Sequence, residues 1–142
     1  MRALNRKPGN GARALRFCIL TAARSGEGRG MIWREVDISS RVWTVPAARM
    51  KTRREHRVPL SEAALAALLD QLPDDGSKPD PTALVFPGRR QGRPLSDMTL
   101  SQLVRRMATD GLKDGEAPRW RDAGGEAVTV HGFRSTFRDW AS

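Results

Sequence analysis

The stretch VTVHGFRSTFRDWAS, Val128 to Ser142, decides how this chain is read. Set on a helix at about 100° per residue, Phe133, Phe137 and Trp140 fall on one side and His131, Arg134 and Arg138 on the other. One face is suited to packing and the other to presenting positive donors. An imidazole and a guanidinium one turn apart reach a single tetrahedral anion together, and the forked guanidinium fits a phosphate. Thr129 is the expected cap of this helix. A merely solvated helix face has the same spacing, so the rest of the chain has to decide between the two.

The charge balance favours a polyanion. Twenty-five Lys plus Arg stand against 16 Asp plus Glu, a formal net charge of +9 carried almost wholly by Arg. That is the electrostatic footprint of a nucleic-acid partner. No apolar run approaches the roughly 18 residues of a membrane span, and no helix has the basic amphipathic pattern of a membrane surface. A secretory signal is not expected from MRALNRKPGN, and the lone Cys18 excludes an intrachain disulfide and a cysteine-based zinc site. The expected setting is a reducing cytoplasm.

At 142 residues the chain reads as about one domain. Residues 1–11 read as an irregular lead-in with Asn10 a candidate cap, followed by a largely buried helix from Ala12 to Ala23 with Cys18 in the core. It stops at Arg24-Ser25-Gly26-Glu27. Ser25 reads as the cap of a second helix reaching about Val36, weakened by Gly28 and Gly30, which sets Arg24 at a helix N-terminus with Glu27 in the first turn. After a turn at Asp37–Ser40, three short runs (Arg41–Val45, Ala48–Lys51 and His56–Val58) read as an antiparallel sheet. Its last hairpin carries the charged tip Thr52-Arg53-Arg54-Glu55; a solvated charge run is the plain alternative.

Ser61 is the expected cap of a helix to about Leu72, packed through Leu65, Leu68, Leu69 and Leu72. Pro73–Thr82 reads as a flexible loop, Ala83–Pro87 as a short buried segment, and GRRQGRP as a basic loop. Ser96 or Asp97 caps a further helix with Leu100, Leu103, Val104 and Met107 as its core stripe. Asp110–Gly125 reads as loop, pinned by Trp120. The expected fold class is α+β, mostly helical, with a small three-stranded antiparallel sheet.

Four segments in this order, ILTAARSGE (Ile19–Glu27), VWTVPAARMKTRREHRVPLS (Val42–Ser61), LVFPG (Leu84–Gly88) and VTVHGFRSTFRDWA (Val128–Ala141), resemble the catalytic domain of the tyrosine recombinases, the phage-type integrases. The resemblance implies site-specific DNA recombination or integration by strand cleavage and rejoining. It implies that Arg24 and Arg134 hold the scissile phosphate and stabilise its pentavalent transition state. Lys51 would be the general acid that protonates the leaving 5′ oxygen, and His131 would bond the phosphate and assist proton transfer. Glu27 would support the site, and Arg53, Arg54 and Arg57 would contact the DNA backbone. His56 is left as a surface residue.

The same resemblance implies double-stranded DNA as partner, with recombinase protomers or further copies of this chain assembled on it, and neither metal nor cofactor. The family's nucleophile is a tyrosine, and these 142 residues contain none. A further His or Trp after the HxxR helix and an upstream DNA-clamping domain are also expected of the family and not matched here. Trp140 is too close to His131 to serve as that residue. The chain therefore reads as a partial catalytic domain, incomplete at its C-terminus, with exposed apolar surface near that end. It is expected not to cleave DNA in cis. A non-catalytic DNA-binding remnant or dominant-negative module is the alternative, and a tyrosine donated by another subunit is a third.

Overall fold

Ala14 and Phe17 have no accessible surface, and the helix that carries them is the axis around which the other elements pack. The structure, a computed structural model, describes residues 1–141, with the side chains of Arg138, Trp140 and Ala141 outside that description. The central helix, α2, spans Asn10–Thr21 and buries Ala12, Ala14, Leu15, Phe17 and Cys18. Its ring contacts reach both ways: Phe17 meets Trp43 edge-on at 5.3 Å and Phe86 at 5.7 Å between centroids. A fully buried aromatic of this kind contributes roughly 1.5–3 kcal/mol.

Before α2 the chain is less irregular than the sequence suggests. Arg2–Asn5 forms a short helix, α1, because Leu4 finds an apolar site and is buried there. Asn10 does not cap α2 but begins it, and its amide donates across the fold to the Pro87 carbonyl at 2.9 Å. Beyond α2, Ala22 adopts a left-handed conformation with φ 51°, which turns the chain sharply into the next helix.

That helix, α3, is only Ser25–Arg29. The expected run to Val36 fails at Gly30, where the chain leaves the helix for a 3₁₀ turn at Trp33–Glu35. Ser25 is inside α3 rather than its cap. Arg24 holds the cap position, and Glu27 reaches back to accept its backbone N–H at 2.9 Å.

The sheet is three-stranded and antiparallel, as expected, but one of its members differs. The strands are β1, Val36–Asp37; β2, Val42–Val45; and β3, His56–Pro59, in the order β1-β2-β3. β2 pairs directly with β3, with Val42 opposite Pro59 and Val45 opposite His56. The segment Ala48–Lys51 is not a strand. Ala47–Arg49 forms a 3₁₀ turn after Pro46, because Arg49 turns inward to two partners instead of pairing along the sheet.

Helix α4, Glu62–Leu69, is capped by the Ser61 hydroxyl, which accepts from the Ala64 N–H at 3.3 Å. Its buried face is Ala64, Ala67 and Leu68, whereas Leu69 is exposed. The small alanines let it sit close against α2; of the expected leucine row Leu68 is fully buried and Leu72, just past the end of the helix, packs against the core, while Leu69 turns outward. Residues 73–82 contain turns in which Asp75 accepts from Ser77 and Asp80 from Thr82. Val85 and Phe86 are buried, and α5, Asp97–Thr109, buries Leu100, Val104, Met107 and Ala108. Trp120 packs against the same core.

The last helix, α6, spans Val130–Ala141, with Thr129 accepting from the Gly132 N–H at 3.0 Å as its sequence predicts. Phe133 packs against the core, whereas Phe137, on the same expected apolar face, is 44% exposed. Trp140 and Arg138, expected on opposite faces, lie outside the described side chains. Among the described residues no helix is long and apolar enough to cross a membrane.

Candidate active site

Three parts of the chain converge on one cleft of about 450 Å³ lined by Arg24, Glu27, Arg29, Arg49, Lys51, His131 and Arg134, among others. It brings together all four residues singled out for chemistry. Arg24 and Glu27 come from the start of α3, Lys51 from the connection between β2 and β3, and His131 and Arg134 from α6. They are separated by as many as 110 positions in sequence, 134 − 24, and the tertiary fold alone unites them.

Glu27 is the anchor. Only 6% exposed, its carboxylate accepts from the Arg24 backbone N–H at 2.9 Å and from the Arg24 guanidinium Nη1 at 2.7 Å. A buried carboxylate needs such paired donors. The pair holds Arg24 by backbone and side chain together, while its guanidinium remains partly open to the cleft. Arg134 is held differently: its Nη1 donates to the Ala22 carbonyl at 2.8 Å. The left-handed turn at Ala22 thus serves both walls, delivering Arg24 to α3 and offering its carbonyl to α6.

Lys51 and His131 are exposed at the rim. Arg53 and Arg54 are exposed on the tip, with Arg53 itself in a left-handed turn, and Arg57 is exposed on β3. These three are not among the residues that line the cleft. His56 is exposed, as expected.

The sequence reading missed Arg49 and Glu35. Arg49 donates from Nη1 to the Glu27 carbonyl at 3.1 Å and from Nη2 to the Glu35 carboxylate. Glu35 also accepts from the Trp43 indole at 3.2 Å, which satisfies the polar edge of a side chain with no accessible surface. The available signal was indirect: an indole N–H buried in a core requires a partner, and Glu35 was within reach. Arg29 lines the cleft too, but its Nη1 donates to the Leu95 carbonyl at 2.7 Å.

Behind the cleft, Cys18 is buried and its thiol is pushed up to about 12, first by burial and then by the nearby Glu27 charge. It is a packing residue at physiological pH. Among the described residues no cluster of His, Cys, Asp or Glu has the makings of a metal site.

A family model described as the phage integrase family matches residues 2–140. This chain belongs to the phage integrase family. It is 35% identical over 127 residues to prophage integrase IntZ of Escherichia coli strain K12, covering 89% of this chain and 30% of that protein. It is 30% identical over 153 residues to the integrase of Enterobacteria phage P4, covering 88% and 34% respectively. The chain thus spans about a third of the length of these integrases.

Among solved structures, the Tn1549 transposon integrase in complex with a circular intermediate DNA superposes with a TM-score of 0.66 at 18% identity, over 90% of this chain and 44% of that one. XerA recombinase superposes with a TM-score of 0.59 at 17% identity, over 96% and 50%. The fold is that of the tyrosine recombinase catalytic domain. The helices around a small three-stranded sheet match the fold class expected from sequence.

Proposed function

We propose that this integrase-family chain is the phosphate-gripping part of a site-specific DNA recombinase, able to hold a DNA backbone phosphate but unable by itself to break it. The observation that carries the reading is the cleft in which Arg24, Lys51, His131 and Arg134 meet. Two guanidiniums neutralise the non-bridging oxygens and stabilise the charge that grows in a pentavalent transition state. Lys51, an ammonium at the rim, is suited to protonate the departing 5′ oxygen, and His131 to bond the phosphate and relay a proton. Arg53, Arg54 and Arg57 supply backbone contacts outside the cleft, in keeping with the net charge of +9. The partner is double-stranded DNA, on which further copies or other recombinase protomers assemble.

Chemistry of this class needs a nucleophile, and in this family it is a tyrosine. With no Tyr in its 142 residues, the chain taken alone binds without cutting. The test is binding of duplex DNA by fluorescence anisotropy across a salt series. The wild-type chain is expected to lose affinity steeply with salt. Arg24→Ala and Arg134→Ala are expected to bind roughly 10- to 100-fold more weakly each, the scale of one charge-assisted contact at roughly 1.5–3 kcal/mol. Equal affinity in wild type and both variants, with folding intact, would place DNA elsewhere and end this reading.

A further inference from the structure

Lys51 lies two residues past Arg49, at the start of an exposed excursion between β2 and β3. Every residue from Lys51 to Glu55 is exposed, so the excursion has no core of its own to fix it. The anchored side chains nearest to it are those of Met50, packed against the core, and Arg49, whose guanidinium is held by two acceptors. Two residues of extended chain span at most about 7 Å, so wherever Arg49 is held, Lys51 is confined to a short radius around it.

Arg49 is held by the same residue that holds Arg24. Glu27 accepts Arg24 with its carboxylate and Arg49 with its backbone carbonyl, at 2.7 Å and 3.1 Å. The other prong of the Arg49 fork bonds Glu35, which is itself fixed by the Trp43 indole and by the Ile32 N–H. A guanidinium suits this task because its planar fork ties two acceptors in a set geometry, which an ammonium does not do. Space is kept for it: a Cβ on Gly30 would lie 2.7 Å from Arg49 Nη1.

We propose that Arg49 is a positioning residue, which sets Lys51 at a fixed place relative to the phosphate held by Arg24 and Arg134. The proposal rests on the reading of Lys51 as the proton donor. A merely structural role, neutralising Glu35 in the core, would leave Lys51 indifferent to the fork once the fold is intact.

The experiment is competitive acylation of lysine amines read by mass spectrometry, with and without saturating inorganic phosphate. Occupancy of the cleft is followed through the arginine side-chain resonances of Arg24 and Arg134. Lys7, Lys78 and Lys113 are the internal controls. A nearby anion favours the protonated, unreactive form of an amine, so phosphate should slow acylation of Lys51 by about tenfold in the wild type and leave the controls unchanged.

Two variants remove the fork in different ways. Arg49→Met with Glu35→Gln deletes both charges together, so that neither is left buried and unpaired. Gly30→Ala keeps every charge and displaces the fork by sterics. In both, folded by near-ultraviolet circular dichroism and still shifting Arg24 and Arg134 with phosphate, protection of Lys51 should fall to less than about twofold. Full protection in either folded variant overturns the proposal. Failure of the underlying reading looks different: wild-type phosphate would shift neither arginine, or would leave Lys51 unprotected before any substitution is made.

Discussion

The two arginines of the cleft are held by walls of unequal strength. Arg24 is fixed by backbone and side chain to the buried Glu27, whose helix abuts the fully packed α2. The Arg134 guanidinium bonds, among the described residues, to the Ala22 carbonyl, and it stands on a helix whose apolar face is covered at Phe133 but 44% exposed at Phe137. One wall is organised by the core before any ligand arrives. The other packs on it through Val130 and Phe133, and its arginine is tied to it at a strained residue, Ala22. Electrostatic stabilisation of a transition state depends on donors that need not reorganise, and by that measure α3 is the stronger wall.

The largest effect that could break this contrast is the loss of Glu27. Glu27→Ala strands both Arg24 donors and opens a void beside Cys18, and is expected to cost about 2–3 kcal/mol in urea denaturation. Phe137→Ser, on the weaker wall, should cost less than about 1 kcal/mol. Equal costs would show that α6 is as firmly built in as α3.

A smaller effect sharpens the comparison at its joint. Ala22 pays for its left-handed φ of 51° with about 1–2 kcal/mol of steric strain. Ala22→Gly relieves that strain but adds chain entropy, leaving an expected net gain of roughly 0.5 kcal/mol. The melting temperature should rise slightly and the bond from Arg134 persist. A loss of stability would mean that the Ala22 methyl packs more tightly than its half-buried position implies.

The last helix, its Thr129 cap and the placing of His131 and Arg134 follow from local periodicity and capping chemistry, and the structure agrees. Arg24 at a helix start was readable, but the end of that helix was not: it stops at Arg29 instead of reaching about Val36, where the weakening by Gly28 and Gly30 prevails. Ala48–Lys51 was misread because residues alternating in a strand and residues in a 3₁₀ turn look alike over so short a run. What distinguishes them is Arg49 turning inward to Glu27 and Glu35, a contact between distant segments that no local pattern encodes. The buried face of α4 was read only in part: Leu68 and Leu72 pack as expected, whereas Leu69 is exposed and Ala64 and Ala67 take its place. Leucines mark an apolar helix, but it is the alanines at 64 and 67 that let it approach α2. The convergence of α3, the β2–β3 connection and α6 on one cleft was visible only through resemblance to the integrase family, since the intervening loops hold no record of it.

The most direct test of the central claim is to incubate the purified 142-residue chain with supercoiled DNA and examine it for nicking and for covalent protein–DNA adducts after denaturation. The account predicts retention of DNA under native conditions, abolished by Arg24→Ala with Arg134→Ala, and neither nicks nor adducts in any sample. A covalent adduct formed by the wild-type chain, mapped by mass spectrometry to one of its own side chains, would contradict it.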